Sequence, residues 1–417
     1  MFDVSVIVPT HNRADMVCRN IAALARQTMP ASRFEVIVVA DGCEDQTAAR
    51  LQSLDLSFRL RVVEQTQAGA SKARNAGADL AEGTLLVFLD DDMYADAGLL
   101  EAHWQTQQAR PTLLVGFFST PVEHRSEELF AASANAWWDN RFRRLGQAGH
   151  RHTFRDVCTG NMSVSRSSFL ETGGFDEEIG RWAGEDYEFA IRWLKRGERI
   201  GYCPTARSYH QDQPSVDKAL KRAYDEGRGH VLIARRHPEC FMALPLRIAL
   251  DGQPWIRIKR WVKLSRRRAN TIPKLVHPAI HLAITFRFRW LYSRLFGISR
   301  SARLWAGVLD ETDGLGGLRE MIQDIPYEPS VQDVEEIDIS QLPLDLAKRV
   351  TELQPGSLAL LAGTEPIAWI QNTPGSEPIA WSHVVRKLEY WLDAHGLREL
   401  PLPEENGRGS QTEPDNQ

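Results

Sequence analysis

The chain has 417 residues, 43% hydrophobic and 25% charged, a balance that buries a core and excludes a disordered or fibrous protein. Its formal net charge of -5 argues against nucleic acid as the default partner. The five cysteines, Cys18, Cys43, Cys158, Cys203 and Cys240, form no C-x-x-C pair, which excludes a disulfide framework or thiolate zinc site and indicates a reducing compartment. No basic segment followed by an apolar core opens the sequence, and no apolar run reaches the roughly 20 residues that cross a bilayer. The expected location is cytoplasmic, with peripheral attachment at the inner face of a membrane as the variant.

In chain order, short runs rich in Val, Ile and Leu occur at Val4–Val8, Glu35–Ala40, Leu60–Val63 and Thr84–Leu89. Between them, Val17, Ile21 and Leu24 fall at helical spacing, and Ser71–Glu82 is rich in alanine. Strands buried on both faces and separated by helices predict βαβ units in a parallel sheet. From Leu113 to about Asp212 the pattern is mixed and aromatic, with Trp137, Trp138, Phe142, Phe154, Trp182 and Trp193. These are expected mainly in the core, Trp137, Trp138 and Trp182 being candidates to stack on a sugar. Tyr187, Ala190, Ile191 and Leu194 share a helix face that Lys195-Arg196-Gly197 ends.

Residues 215–305 hold 20 Lys/Arg against five Asp/Glu, with Trp255, Trp261, Trp290 and Tyr292 interleaved. That composition fits solvated helix faces, packing on the preceding domain, or peripheral contact with anionic lipid. The following acidic region repeats Glu365-Pro366-Ile367-Ala368-Trp369 as Glu377-Pro378-Ile379-Ala380-Trp381, which predicts paired strands around Asn372-Thr373-Pro374-Gly375. From about Pro403 a disordered tail is expected.

In a doubly wound sheet, ligands bind beyond the carboxyl ends of the strands. The apolar runs end in Pro9-Thr10-His11-Asn12-Arg13, Asp41-Gly42 and Asp90-Asp91-Asp92. Acidic turns repel phosphate, but a divalent cation binds carboxylate on one side and diphosphate oxygens on the other. The first turn carries no G-x-G-x-x-G, and Gly69-Ala70-Ser71-Lys72 lacks P-loop glycine spacing.

Together with Gln67-x-Gly69-x-Ser71-x-Ala73-Arg74-Asn75-x-Gly77, these turns resemble the nucleotide-binding half of family 2 glycosyltransferases. Thr159-Gly160-Asn161, Gly173-Gly174-Phe175-Asp176-Glu177 and Gly184-Glu185-Asp186-Tyr187-Glu188 resemble that family's acceptor half. The resemblance spans about 3–212 and implies a GT-A type, Rossmann-like doubly wound mixed α/β sheet. The division it implies is 1–112 for the nucleotide sugar and 113–212 for the acceptor. After these come a basic, mainly helical extension over 213–317, an acidic accessory region over 318–402 and the tail 403–417.

The resemblance also implies residue roles. Pro9, Thr10, Asn12 and Arg13 line the nucleotide pocket, Asp41 accepts from the base (typically uracil), and Lys72 and Arg74 lie by the base or diphosphate. Asp90 and Asp91 belong to the nucleotide site, with Asp90 also facing the metal. Asp92, Asp90 and His210 are the ligands of Mn2+ or Mg2+. Asp186, with Glu185 beside it, is the catalytic carboxylate, since a sugar hydroxyl needs a base near neutral pH. The family's second motif commonly begins with two aspartates, and here it reads Ala40-Asp41-Gly42-Cys43, which bears on the preferred base.

The expected reaction is inverting transfer of a sugar from a nucleotide-sugar donor, foremost a UDP-sugar, to a saccharide, lipid-linked or protein acceptor. The competing readings are a nucleotidyltransferase-like enzyme and a non-catalytic scaffold binding partners through its C-terminal third. Each motif has a bland alternative: a solvated turn for Asp90-Asp91-Asp92, a helix-dipole complement for Glu185-Asp186 and a structural role for His210.

Overall fold

The computed structural model describes residues 2–120, 129–211, 215–246, 265–323, 334–338, 350, 357–362, 365–371 and 373–394. The first segment runs β1 (Val4–Thr10), α1 (Ala14–Leu24), β2 (Phe34–Asp41), α2 (Thr47–Gln52), β3 (Arg59–Gln65), α3 (Ala70–Leu80) and β4 (Leu85–Leu89). Every residue of β1, β2 and β4 is buried, and the period of two divides them between two cores. Val4, Val6, Val8, Val36, Val38 and Val87 meet Val17, Ile21 and Leu24 of α1 on one face. Ile7, Ile37, Val39, Leu86 and Phe88 meet Ala73 and Ala78 of α3 on the other. A strand apolar on both faces is stable only when covered twice, which is why these runs show no polar alternation.

β3 departs from this expectation, because its residues are half-buried or exposed. It is an edge strand, and Arg59 and Arg61 reach Glu82 from it.

The chain continues through β5 (Met93–Ala95), α4 (Leu99–Ala109), β6 (Leu113–Ser119), α5 (Leu129–Leu145), β7 (Asn161–Ser165), α6 (Arg166–Glu171), α7 (Glu185–Lys195) and β8 (Ile200–His210). All eight strands form one sheet in the order β3-β2-β1-β4-β7-β6-β8-β5. β3, β2, β1 and β4 are parallel, whereas β7 runs antiparallel to both β4 and β6. The strand order reverses between β1 and β4, the switch point where a crevice opens. Phe88, Phe169, Phe175 and Phe189 pack there with ring centroids 5.1–5.3 Å apart.

The basic stretch is helical where it is described: α8 (Val216–Arg236), α9 (Arg266–Thr285), α10 (Arg289–Glu311), then α11 (Leu315–Gln323). Part of it packs on the preceding domain, since Val231, Ile233, Leu304 and Trp305 join the same core as Phe88. Trp255 and Trp261 lie outside the described residues. Among the described residues, no helix is long and apolar enough to cross a membrane.

Residues 1–146 with 152–327 form one compact unit, and 147–151 with 328–417 form a second. Within the second, β9 (Val334–Asp338), β10 (Ser357–Ala362) and β11 (Glu365–Gln371) make a sheet in the order β11-β10-β9. Its core, which includes Leu358, Leu360 and Ile370, takes in Trp381, Val384 and Leu388 of α12 (Trp381–Ala394). The expected pairing of the two Glu-Pro-Ile-Ala-Trp copies is therefore corrected. The first copy is strand β11, at a sheet edge where Pro366 is tolerated, and its ladder partner is β10. The second copy runs irregularly from Glu377 to Ala380 and enters α12 at Trp381, since its apolar residues continue at helical spacing. Residues from Pro403 onward lie outside the described residues.

Candidate active site

The acidic turn after β4 is held from β1 and α1. Thr10 Oγ1 donates to Asp91 Oδ2 at 2.8 Å, and Arg13 Nη1 donates to Asp91 Oδ1 at 2.9 Å and Asp92 Oδ2 at 3.1 Å. Asn20 Nδ2 donates to the Asp91 carbonyl. Burial raises the Asp91 carboxyl to about 6 against the pull of Arg13. Burial alone would lower Arg13, but the charges of Asp91 and Asp92 hold it raised. Asp91 thus faces inward, clamped to the start of α1, and both its oxygens have donors.

Asp92 is different. Its Oδ2 lies 3.6 Å from His210 Nε2, while its Oδ1 is buried without a hydrogen-bond partner. Burial raises its carboxyl, and the His210 charge opposes that rise. β5 pairs with the end of β8 in a register that sets Met93 against His210, so the sheet itself brings ligand-type atoms together. A buried carboxylate oxygen with no donor is costly unless a cation meets it. A divalent ion would therefore be met first by Asp92 and His210, since the ligand atoms of Asp90, Asp92 and His210 do not all lie within 4.8 Å of one another.

Arg74, buried on α3, donates from Nη2 to Asp90 Oδ1 at 2.7 Å and from Nη1 to Glu185 Oε1 at 3.0 Å. One guanidinium thus joins the turn after β4 to the first turn of α7. Lys72, two residues earlier on α3, is exposed, and residues two apart on a helix do not share a face. The structure does not bring Lys72 and Arg74 to the same place.

Asp41 is buried and committed to the loop that follows β3. Its Oδ1 accepts from Gln65 Nε2 and the Ala68 N–H, both at 2.7 Å, and its Oδ2 from the Gly69 N–H at 2.8 Å. A carboxylate has about four acceptor directions, which leaves one for a ligand. Gly42 holds φ +65°, and a Cβ there would meet the Gln67 backbone nitrogen at 2.8 Å, so only glycine fits this turn. Asn12, in the left-handed region at φ 52°, accepts from the Glu44 N–H at 2.8 Å and so ties the β1 loop to the β2 loop. Pro9 is buried inside β1.

Asp186 occupies the first turn of α7, where Glu185, Asp186 and Glu188 complement the helix dipole. Its carboxyl is pushed up to about 7 by burial, then by the Glu185 charge, against Arg222, the Tyr187 N–H and Arg141. A carboxylate that ionises near neutrality and still accepts protons has the property required of a general base.

Two cationic residues near Asp186 escaped sequence reading. Arg141 on α5 is buried, donates to the Val157 carbonyl at 3.2 Å and lies 5.4 Å from the Trp138 ring centre. Its signal was the Trp137-Trp138 pair just before it. Arg222 on α8, paired with Glu226 at 3.4 Å, was one cation among many in the basic stretch and carried no positional signal. Trp138 and His210 line a cavity of about 50 Å³ with Phe118, Asn135 and Asp139, whereas Trp137 is exposed. Trp182 lies under the Arg228 guanidinium at 3.6 Å. Asn161 of the acceptor motif is structural here, since its amide joins His103, Phe117, Ala206 and Ser208 in a buried network.

Residues 5–173 match the family described as Glycosyl transferase family 2, and residues 141–212 match the N-terminal domain of galactosyltransferase. Over this first segment the chain is similar to glycosyl transferase family 2, and the sheet described above is the mixed α/β sheet that such a likeness leads one to expect. The chain is similar to the validoxylamine A glucosyltransferase of Streptomyces hygroscopicus subsp. jinggangensis (strain 5008), 32% identical over 46% of this chain and 52% of the relative. It is 27% identical to the hyaluronan synthase of Pasteurella multocida over 52% of this chain and 25% of that protein. The chain spans about half the length of the validoxylamine A glucosyltransferases it matches. Among solved structures, the mannosyltransferase PcManGT from Pyrobaculum calidifontis in complex with GDP-Man and Mn2+ matches with TM-score 0.49 and 17% identity, covering 74% of this chain and 86% of that chain.

Proposed function

We propose that the chain transfers a glycosyl group from a nucleotide sugar, foremost a UDP-sugar, to a hydroxyl of a saccharide, lipid-linked or protein acceptor. The observation that carries this reading is the Arg74 bridge, which leaves the Asp90–Asp92 turn and the Asp186 turn one guanidinium apart. A site for a charged leaving group and a proton acceptor on separate elements suit a single inverting displacement.

Asp186 takes the proton of the acceptor hydroxyl while that oxygen bonds to the anomeric carbon. The bond from that carbon to the diphosphate oxygen breaks, and its electron pair leaves with the nucleoside diphosphate. Asp92 and His210, with Asp90, would hold Mn2+ or Mg2+, which supplies charge neutralisation for the departing diphosphate. Thr10 and Arg13 keep Asp91 and Asp92 in position. Asp41 keeps one acceptor direction for the base.

A thermal-shift panel of UDP-, GDP- and dTDP-sugars with and without Mn2+ tests the reading. A donor at about a hundred times its dissociation constant adds about 2.7 kcal/mol, a shift of several degrees. Absence of a metal-dependent shift for every nucleotide would reject it, and pyrophosphate release from a nucleoside triphosphate would favour nucleotidyl transfer instead.

A further inference from the structure

Helices α9 and α10 form a hairpin whose two sides differ. The inner side is packed: Ile280, Ala283 and Tyr292 cluster with Phe130 of α5 and with Val216 and Leu220 of α8. The turn is not, since Phe286, Phe288 and Trp290 are 60%, 58% and 71% exposed, with Leu282 at 58% beside them. The Phe286 and Phe288 rings stack at 6.2 Å, and Arg294 lies 5.6 Å from the Trp290 ring centre.

The turn is rigidly built. The Phe288 N–H donates to the Ala283 carbonyl and the Arg287 N–H to the Ile284 carbonyl, the paired bonds of a Schellman helix stop. The residue at its left-handed position is Arg287, at φ 54°, where glycine is free of strain. A charged residue thus stands in sequence between two exposed aromatic residues despite a backbone that disfavours it.

Charge decides the occupant. Residues 266–309 contain nine Lys/Arg and no Asp/Glu. In a two-fold dimer the same patch meets its own copy, which would set positive against positive. An anionic bilayer offers phosphates to the arginines and an acyl boundary to the rings. We propose that Phe286, Phe288 and Trp290 insert into the interface of an anionic membrane, with Arg287, Arg289 and Arg294 at its headgroup phosphates. The proposal does not depend on which reaction the cleft performs.

Co-sedimentation of the full chain with vesicles of phosphatidylglycerol and phosphatidylcholine in equal parts, and of phosphatidylcholine alone, tests it. The wild type pellets with the anionic vesicles and much less with the neutral ones. Replacing Phe286, Phe288 and Trp290 by Ser lowers the partition constant on the order of tenfold or more. Arg287→Gln with Arg289→Gln lowers it about thirtyfold, at roughly one kcal/mol per cation near the surface. Unchanged thermal unfolding in both variants keeps the loss attributable to the tip. Equal pelleting of wild type and variants would overturn the proposal. So would wild-type dimerisation that the Ser variant abolishes while anionic vesicles are left unbound.

Discussion

Asp91 at the end of β4 and Asp186 at the start of α7 both have carboxyls held above the ordinary range, at about 6 and about 7. Their surroundings differ. Asp91 has a guanidinium at 2.9 Å and a hydroxyl at 2.8 Å, so both its oxygens are occupied. The Asp186 carboxylate has the N–H of its own neighbour Tyr187 at 2.8 Å, and the arginines near it act through their field. A carboxylate paired at contact distance organises a site, whereas one raised by burial and left open can exchange a proton.

The largest effect expected from this contrast is at Asp186. Asp186→Asn lowers kcat on the order of a thousandfold, the usual worth of a positioned base, while donor affinity is retained. Steady-state kinetics with separate donor titration check this, and unchanged kcat would move the base elsewhere. Arg74→Ala removes a buried guanidinium from the partly exposed Asp90 and from Glu185, and urea unfolding should register about 1–3 kcal/mol lost. A loss under about 1 kcal/mol would mean the bridge joins the two turns without holding them.

Asp92→Asn should cut metal-dependent turnover on the order of a hundredfold, since it removes an oxygen that already lacks a protein donor. Asp91→Asn should lower stability more than metal affinity, and the reverse ranking would exchange their roles. The pH profile sharpens the contrast further. In the proposed role Asp186 would serve as base only when ionised, and its carboxyl is pushed up to about 7, so kcat/KM is expected to be full above that value. It then falls about tenfold per unit as pH drops below it. The smallest effect is at Arg222, whose charge lowers the Asp186 carboxyl. Arg222→Gln moves the profile's midpoint upward by less than about one unit, with a few-fold loss near pH 6. A downward shift would contradict the placement.

The parallel half of the sheet was legible because β1, β2 and β4 are buried on both faces, and their composition says so. The contact of Thr10 with Asp91 is in line with the rule that ligands bind beyond strand C-termini, whereas the Asp41 carboxylate is held by the loop after β3. β3 was misjudged as doubly buried because a short apolar run does not reveal that it lies at a sheet edge. The residues partnering Asp41 and Arg74 were not legible, since a side chain that contacts a loop or a helix a hundred residues away leaves no local pattern. The charge of Arg222 acts on Asp186 from α8, a placement that the basic stretch's composition left undetermined. The Glu-Pro-Ile-Ala-Trp echo showed the converse, because near-identical segments folded differently according to what followed each.

The most direct test is calorimetric titration of UDP, GDP and dTDP into the wild type, Asp92→Asn and Asp186→Asn, each with and without Mn2+. The account predicts that one nucleotide binds the wild type and Asp186→Asn alike, only with the ion, and that Asp92→Asn loses this binding. Metal-independent binding, or equal binding by all three proteins, would contradict it.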